Sequence, residues 1–309
     1  MGQDTVAVTI RSFDPEGPAM VKLRGELSVC YVNRDGRRLS EEELSRALRG
    51  ATGVIAGTEP FTSRVLEAAR DLRVISRVGV GLDSVDLEAA SRRDIIVTTT
   101  PIAPVQAVAE HTLALLLAVA KRIPLYQERL RQGEDAPLPA TLLAGKTAGI
   151  VGMGRIGSRV GELLDALGCR IAYFDPAVDA GRPSWSRKGS LEELAEVADI
   201  ITLHAPAQPG NRPLIGREII SRCRRGVLLV NTARGSLLDE EALARGLEQG
   251  VIAGAGLDVF AREPYHGPLL RSPQLVATPH VASSTTESRQ QMEMEAVDSL
   301  IDALKRSRR

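Results

Sequence analysis

Side chains that can move a proton or hold an anion stand at the ends of apolar runs in this chain. His280 follows the run Leu275 to Ala277 in Thr278-Pro279-His280, and an imidazole suits proton transfer near neutral pH. Glu263, in Phe260-Ala261-Arg262-Glu263-Pro264, lies on the loop after Asp258. A carboxylate beside an imidazole stabilises the imidazolium and selects its tautomer. Arg234, between Ala233 and Gly235, offers a planar fork for a carboxylate or a carbonyl. Each has a plainer reading: Glu263 as a surface glutamate, Arg234 as a solvent-facing loop arginine. Of the other histidines, His111 falls within an apolar helical run, His266 in a Pro/Gly loop, and His204 at a strand end with no carboxylate close in sequence. His111 reads as structural and His204 as lining a pocket, which leaves His280 as the candidate acid/base.

A second group of residues points to what such a proton would accompany. Gly152, Gly154 and Gly157 have the spacing G-x-G-x-x-G, after the strand-like run Thr147 to Val151 and before a helical segment reaching Leu167. Gly152 suits a tight turn, Gly154 lets backbone N–H groups approach a pyrophosphate, and Gly157 lets the helix pack closely on the sheet. The helix N-terminus adds partial positive charge. Asp175 stands eighteen residues after Gly157, at the end of the next strand-like run. There an acid accepts hydrogen bonds from a ribose and repels a 2′-phosphate; no basic residue follows until Arg182. The pattern reads as an NAD site, and NAD chemistry moves a hydride whose carbonyl oxygen needs a proton partner.

The elements that must position these groups alternate between strand and helix. Val6 to Ile10, Leu27 to Val32, Gly53 to Ala56, Arg73 to Ser76 and Ile95 to Thr98 read as strands. Ser40 with Glu43 three residues on marks a capped helix. After Asp175 the runs Asp199 to Leu203, Val227 to Val230, Ala253 to Leu257 and Leu275 to Ala277 end at His204-Ala205-Pro206, Asn231-Thr232-Ala233-Arg234-Gly235, Asp258 and Thr278-Pro279-His280. Alternation of this kind predicts an α/β fold with doubly wound parallel sheets, whose ligands bind beyond the C-terminal strand ends. Arg77-Val78-Gly79-Val80-Gly81-Leu82-Asp83, between a strand and the helix near Val85 to Ser91, is either an ordinary βα turn or an anion site using the N–H groups of its two glycines. Ala107 to Ile123 is apolar nearly all round and needs more than one neighbour, as at a domain crossing or a dimer interface. Gly133 to Thr141 reads as an irregular arm. Thr285 to Lys305, with Met292, Ala296, Leu300 and Leu304 at intervals of four, is an amphipathic helix that could return to the first domain.

With 309 residues, two domains of roughly 150 residues each are expected: a discontinuous substrate domain, 1–100 and 283–309, and a nucleotide domain, 101–282. Zero net charge gives no sign of nucleic acid. The basic end, Lys305, Arg306, Arg308 and Arg309, reads as solvated. Cys30, Cys169 and Cys223 form no C-x-x-C pair, which argues against disulfides and bound metal and fits a cytoplasmic setting. The run Val108 to Val119 is interrupted by Glu110 and His111 and is too short to span a bilayer. The opening M-G-Q-D-T-V-A-V-T-I reads as a first strand and not as an export signal.

Taken together, Gly152-Met153-Gly154-Arg155-Ile156-Gly157, Asn231-Thr232-Ala233-Arg234-Gly235, Leu257-Asp258-Val259-Phe260 through Glu263-Pro264, and Thr278-Pro279-His280 resemble the signature blocks of the D-isomer-specific 2-hydroxyacid dehydrogenases. Arg77 to Asp86 brings the chain closest to the phosphoglycerate dehydrogenase-like branch. The resemblance implies a Rossmann NAD domain and a flavodoxin-like substrate domain with a cleft between them, and a homodimer built largely on the nucleotide domain. It makes His280 the acid/base, Glu263 its partner and Arg234 the substrate anchor. It assigns Arg155 and Ile156 to the pyrophosphate, Thr232 and Asp258 to the nicotinamide side, and His204, Ala205, Pro206, Ala233, His280 and Ala282 to the cofactor wall. Val78, Gly79 and Val80 would lie near the carboxylate of a small 2-keto or 2-hydroxy acid.

Three departures bear on that substrate. Phosphoglycerate dehydrogenases usually carry a basic residue where this chain has Ala56; Pro104 replaces a frequent Asn and removes a donor; and Glu59 would repel a dianion. A generic small acid is therefore expected ahead of 3-phosphoglycerate, the substrate of serine biosynthesis. An NAD(H)-sensing corepressor is the rival from another class, although nothing in the chain resembles a partner-recruiting extension; formate-type and phosphite-type dehydrogenation also use this fold.

Overall fold

The computed structural model describes residues 4–178, 182–207, 210 and 212–307; Arg308 and Arg309 of the basic end lie outside them. Two compact units emerge, 1–104 with 285–309, and 105–284.

The first unit holds a five-stranded parallel sheet, β1 (Thr5–Val8), β2 (Ser28–Val32), β3 (Gly53–Ala56), β4 (Val74–Arg77) and β5 (Ile96–Thr98), in the order β2-β1-β3-β4-β5. That is the flavodoxin-like order. One face is covered by helices Pro18–Glu26 and Thr286–Arg306, whose Met20, Leu23, Leu300 and Leu304 are buried with Val6, Val8 and Ile55. Gly53 allows the close approach, since a Cβ there would meet Leu300 Cδ1 at 2.9 Å. Leu44, Leu48, Phe61, Leu66 and Ile75 fill the other face. Helix Glu41–Ala47 carries the expected capping box between Ser40 and Glu43. At the chain end Lys305 pairs with Glu26, Nζ to Oε2 3.2 Å.

The second unit holds a seven-stranded parallel sheet: β6 (Thr147–Val151), β7 (Arg170–Phe174), β8 (Ser186–Arg187), β9 (Ile200–Leu203), β10 (Val227–Asn231), β11 (Ile252–Leu257) and β12 (Leu275–Ala277). Their order, β12-β11-β10-β9-β6-β7-β8, is the Rossmann order with one strand added, and it reverses direction between β6 and β9. Strand β8 is two residues long, too short to leave a periodic signal.

The long apolar helix differs from its expected limits. It runs Val105–Ala120, Arg122 turns left-handed at φ 54°, and a second helix, Ile123–Arg131, begins with Pro124 in its first turn. Proline starts a helix more readily than it continues one. Helix Val105–Ala120 lies between helix Arg155–Ala166 and strands β10 to β12 of the same unit. Two glycines of β11 make room for it: a Cβ on Gly254 would meet Val119 Cγ1 at 2.5 Å, and one on Gly256 would meet Leu115 Cβ at 2.9 Å. Among the described residues no helix is long and apolar enough to cross a membrane, and no group of three His, Cys, Asp or Glu could hold a metal ion.

Candidate functional site

The glycine turn sits at the point where the sheet of the second unit reverses. Gly152 has φ 93°, a conformation costly for any residue with a Cβ, and a Cβ there would also meet Ala205 N at 2.5 Å. Gly157 lies so close to the Gly152 carbonyl that a Cβ would overlap its oxygen. Gly154 is the opposite case: it is exposed, and a Cβ there would meet nothing within 4 Å. It also begins helix Arg155–Ala166, whose N-terminus no side chain caps. The open approach beside Gly154 and the uncapped helix fit a pyrophosphate.

Asp175, at the end of β7, is tied into this turn. Its Oδ2 accepts from Met153 N at 2.7 Å, and its Oδ1 accepts from Ala177 N at 2.8 Å and Val178 N at 3.2 Å. The carboxylate therefore braces the glycine turn. Arg187, absent from the sequence argument, donates from Nη2 to the Asp175 main-chain oxygen at 3.2 Å. Only the β7–β8 pairing brings it there.

Across the switch point, His204 closes β9. Its Nε2 lies 2.9 Å from Thr202 Oγ1, and its buried Nδ1 has no hydrogen-bond partner among the described residues. Burial pushes the imidazole down to about 3, so the ring is neutral at ordinary pH. On the next strand end, Asn231 folds its own loop. Its Oδ1 accepts from Ala233 N at 3.0 Å and its Nδ2 donates to Arg234 O at 2.9 Å, an Asx turn that aims the arginine. Arg234 Nη1 donates to Ala233 O at 2.7 Å. Gly235 presses on the backbone of Phe260 and Ala261, where any Cβ would overlap, so the arginine loop rests on the loop that carries Glu263.

The structure brings His280 and Glu263 together, Nδ1 to Oε2 2.8 Å, with the two side chains 48% and 38% exposed. Glu263 is itself held by Phe260 N, which donates to Oε1 at 3.1 Å. A carboxylate can only accept, so Nδ1 carries the hydrogen and Nε2 is the atom left for proton transfer. His280 has φ 57°, a conformation held by its surroundings. The holding group is Asp258. Its main-chain oxygen accepts from His280 N at 2.7 Å, and its carboxylate accepts from Thr278 Oγ1, Val281 N and Ala282 N at 2.6, 2.9 and 2.9 Å. Asp258 is fully buried. Burial alone would raise its pKa, but the hydrogen bonds of His111, Thr278, Val281 and Ala282 bring the balance below the usual carboxylate value. The family resemblance assigns Asp258 to the nicotinamide side; its carboxylate oxygens accept from the turn that carries His280.

In the first unit, Val78 N donates to Ala56 O at 2.8 Å, and Gly79 has φ 133°. Gly79 N donates to Thr100 Oγ1 at 2.7 Å, so this amide, offered by the sequence reading as an anion donor, is already committed. The Arg77 guanidinium lies over Gly79, in the space a Cβ would take. Val80 is exposed. Arg77 also stands in register with Ala56 across β3 and β4. Glu59 is not displayed: it is buried, and its Oε2 accepts from Gly57 N at 2.7 Å. Sequence alone could not show either orientation.

A glycine turn at a Rossmann switch point, braced by an acid and followed along one sheet edge by an Arg loop and a His–Glu pair, defines a dinucleotide-binding α/β protein. Residues 113–282 match the model of the D-isomer specific 2-hydroxyacid dehydrogenase NAD binding domain, and the chain belongs to that family. It is 40% identical over 289 residues to a D-3-phosphoglycerate dehydrogenase of Methanocaldococcus jannaschii, covering 91% of this chain and 54% of that one. It is 38% identical over 279 residues to a glyoxylate reductase of Thermofilum pendens, covering 86% and 82%. Among solved structures, the TT0316 protein of Thermus thermophilus superposes with a TM-score of 0.88 at 39% identity, over 97% of each chain. The chain spans about half the length of the phosphoglycerate dehydrogenases it matches.

Proposed function

We propose that the protein is an NAD-dependent oxidoreductase that interconverts a D-2-hydroxy acid and its 2-keto acid. The observation that carries this reading is the His280–Glu263 pair at 2.8 Å, on the sheet edge that also holds the glycine turn. NADH, when bound along Gly152, Gly154 and Gly157 with its ribose at Asp175, supplies a hydride for C2 of the keto acid. Arg234 holds the substrate carboxylate and polarises the carbonyl. His280 gives its Nε2 proton to the carbonyl oxygen as C2 is reduced, and Glu263 stabilises the imidazolium before transfer. In oxidation the neutral ring takes the hydroxyl proton back.

The substrate is a small 2-keto acid. A second reading, an acid with a further anionic group such as 3-phosphohydroxypyruvate, gains support from Arg77 standing beside Ala56 and from Glu59 being turned inward. A homodimer is supported by helix Ile123–Arg131, which buries none of its residues, and by the exposure of Ile123, Leu130 and Leu142. Three free cysteines suit a reducing cytoplasm. The test is NADH oxidation by purified protein against glyoxylate, hydroxypyruvate, pyruvate, bulkier keto acids and 3-phosphohydroxypyruvate. Turnover of an unphosphorylated acid supports the first reading and preference for the phosphorylated one the second. NADH binding without turnover of any of them, together with a stable NADH-dependent protein partner, would overturn both.

A further inference from the structure

The turn that carries His280 is braced from a helix that the proposed chemistry does not use. Helix Val105–Ala120 turns two adjacent polar side chains toward the sheet edge, His111 and Thr112. Thr112 gives its one hydrogen to Val108 O at 2.7 Å, so at 2.8 Å it accepts from Thr232 Oγ1. His111 Nε2 lies 2.9 Å from Thr278 Oγ1 and 3.5 Å from Asp258 Oδ1.

Proton counting settles the direction of that second contact. The Thr278 hydroxyl has one hydrogen and spends it on Asp258 Oδ1, so it can only accept from His111. Nε2 of His111 therefore carries a hydrogen in either protonation state of the ring. A fully buried carboxylate is tolerable only when its oxygens are satisfied, and His111 completes a set otherwise made of Thr278 and the amides of Val281 and Ala282. The same turn holds His280 at φ 57°, with its ring 2.8 Å from Glu263.

We propose that His111 is a positioning residue for His280, acting through Thr278 and Asp258 on the 278–282 turn. The proposal rests on the oxidoreductase reading, with His280 as the acid/base. His111 touches neither substrate nor the reacting atoms; it keeps Nε2 of His280 where a carbonyl oxygen can meet it. The Nε2 of a glutamine approximates that of histidine, so H111Q keeps the donor and H111L removes it.

The experiment measures kcat, KM and NADH affinity of the whole protein with the best acid from the panel, and amide hydrogen exchange at Val281 and Ala282. Misplacing a catalytic group by about 1 Å costs up to roughly 10²-fold. H111L is therefore expected to lose about 10- to 100-fold in kcat, with NADH affinity and KM within about twofold, and H111Q to regain most of the loss. Exchange at Val281 and Ala282 should quicken in H111L and not in H111Q. Should H111L not fold, H111N, whose shorter amide ends near the position of Nδ1, carries the same test. An H111L kcat within about twofold of the parent, or no rescue by H111Q, would overturn the proposal. If the parent protein turns over no keto acid, the oxidoreductase reading falls by itself. Exchange then decides the positioning role alone: unchanged rates at Val281 and Ala282 in H111L would end it.

Discussion

Replacing Gly154 and Gly157 in turn by alanine separates what the glycine turn does for the fold from what it does for the cofactor. At Gly157 an alanine gains about 0.5–1 kcal/mol of helix propensity. Its Cβ, however, would overlap the Gly152 oxygen by more than about 1 Å relative to ordinary contact. Gly152 cannot yield easily, being at φ 93° with Ala205 against it. Overpacking of this kind costs typically about 1–3 kcal/mol, and a contact with backbone belongs at or above the upper end. The net loss is about 2 kcal/mol, or about 4–8 °C in Tm for a unit of this size. At Gly154 the backbone is at φ −72°, open to any residue. The N-cap preference lost, about 0.5–1 kcal/mol, is close to the unfolded-state entropy gained, about 0.4–1 kcal/mol. G154A should therefore melt within about 2 °C of the parent while its methyl occupies the pyrophosphate approach. NADH affinity should fall at least about tenfold, or about 1.4 kcal/mol. Calorimetry gives Tm, and energy transfer from Trp185, the single tryptophan, to bound NADH gives affinity. G154A binding NADH as tightly as the parent, or G157A melting at the parent temperature, would refute the reasoning.

Other outcomes follow from the same geometry. H280A should lose turnover by about 10²- to 10⁴-fold, the usual share of general acid–base catalysis, with NADH affinity nearly intact; E263Q should lose less, and a normal rate in H280A sinks the assignment. D175N should weaken NADH about tenfold and narrow the preference over NADPH, since it removes the charge that repels a 2′-phosphate; paired KM values for the two cofactors check this. His204 makes stability acid-sensitive. Its folded value near 3 lies below the ordinary 6.5, so the unfolded chain binds a proton first as the pH drops, and the stability present above about 6.5 is lost between 6.5 and 3. The slope is up to about 1.4 kcal/mol per pH unit, or about 2 kcal/mol from pH 6.5 to 5. Urea midpoints across that range should fall less in H204Q, and equal slopes would contradict the burial argument.

Much of this protein is determined by the chain's local pattern alone. Strands β3 and β6 begin and end where their apolar runs do, because a parallel strand buried on both faces shows as an unbroken apolar run. Gly152, Gly154 and Gly157 were legible because one short segment carries both the backbone freedom and the spacing that the turn requires. Polar residues gather at successive strand ends along one edge, since parallel strands deliver their C-terminal ends to one side. What only the tertiary structure decided concerns groups far apart in sequence. Only the packing shows that the Asp258 carboxylate gathers Thr278, Val281 and Ala282 around it. His111 reads as a core histidine until β12 brings Thr278 to its Nε2. Arg77 and Ala56, separated by a whole helix, become neighbours through strand register, and Glu59 proves to be turned inward. Spacing carries information about a residue's own element. The direction of a side chain and the identity of its partner depend on which elements pack beside it, and no local pattern records that.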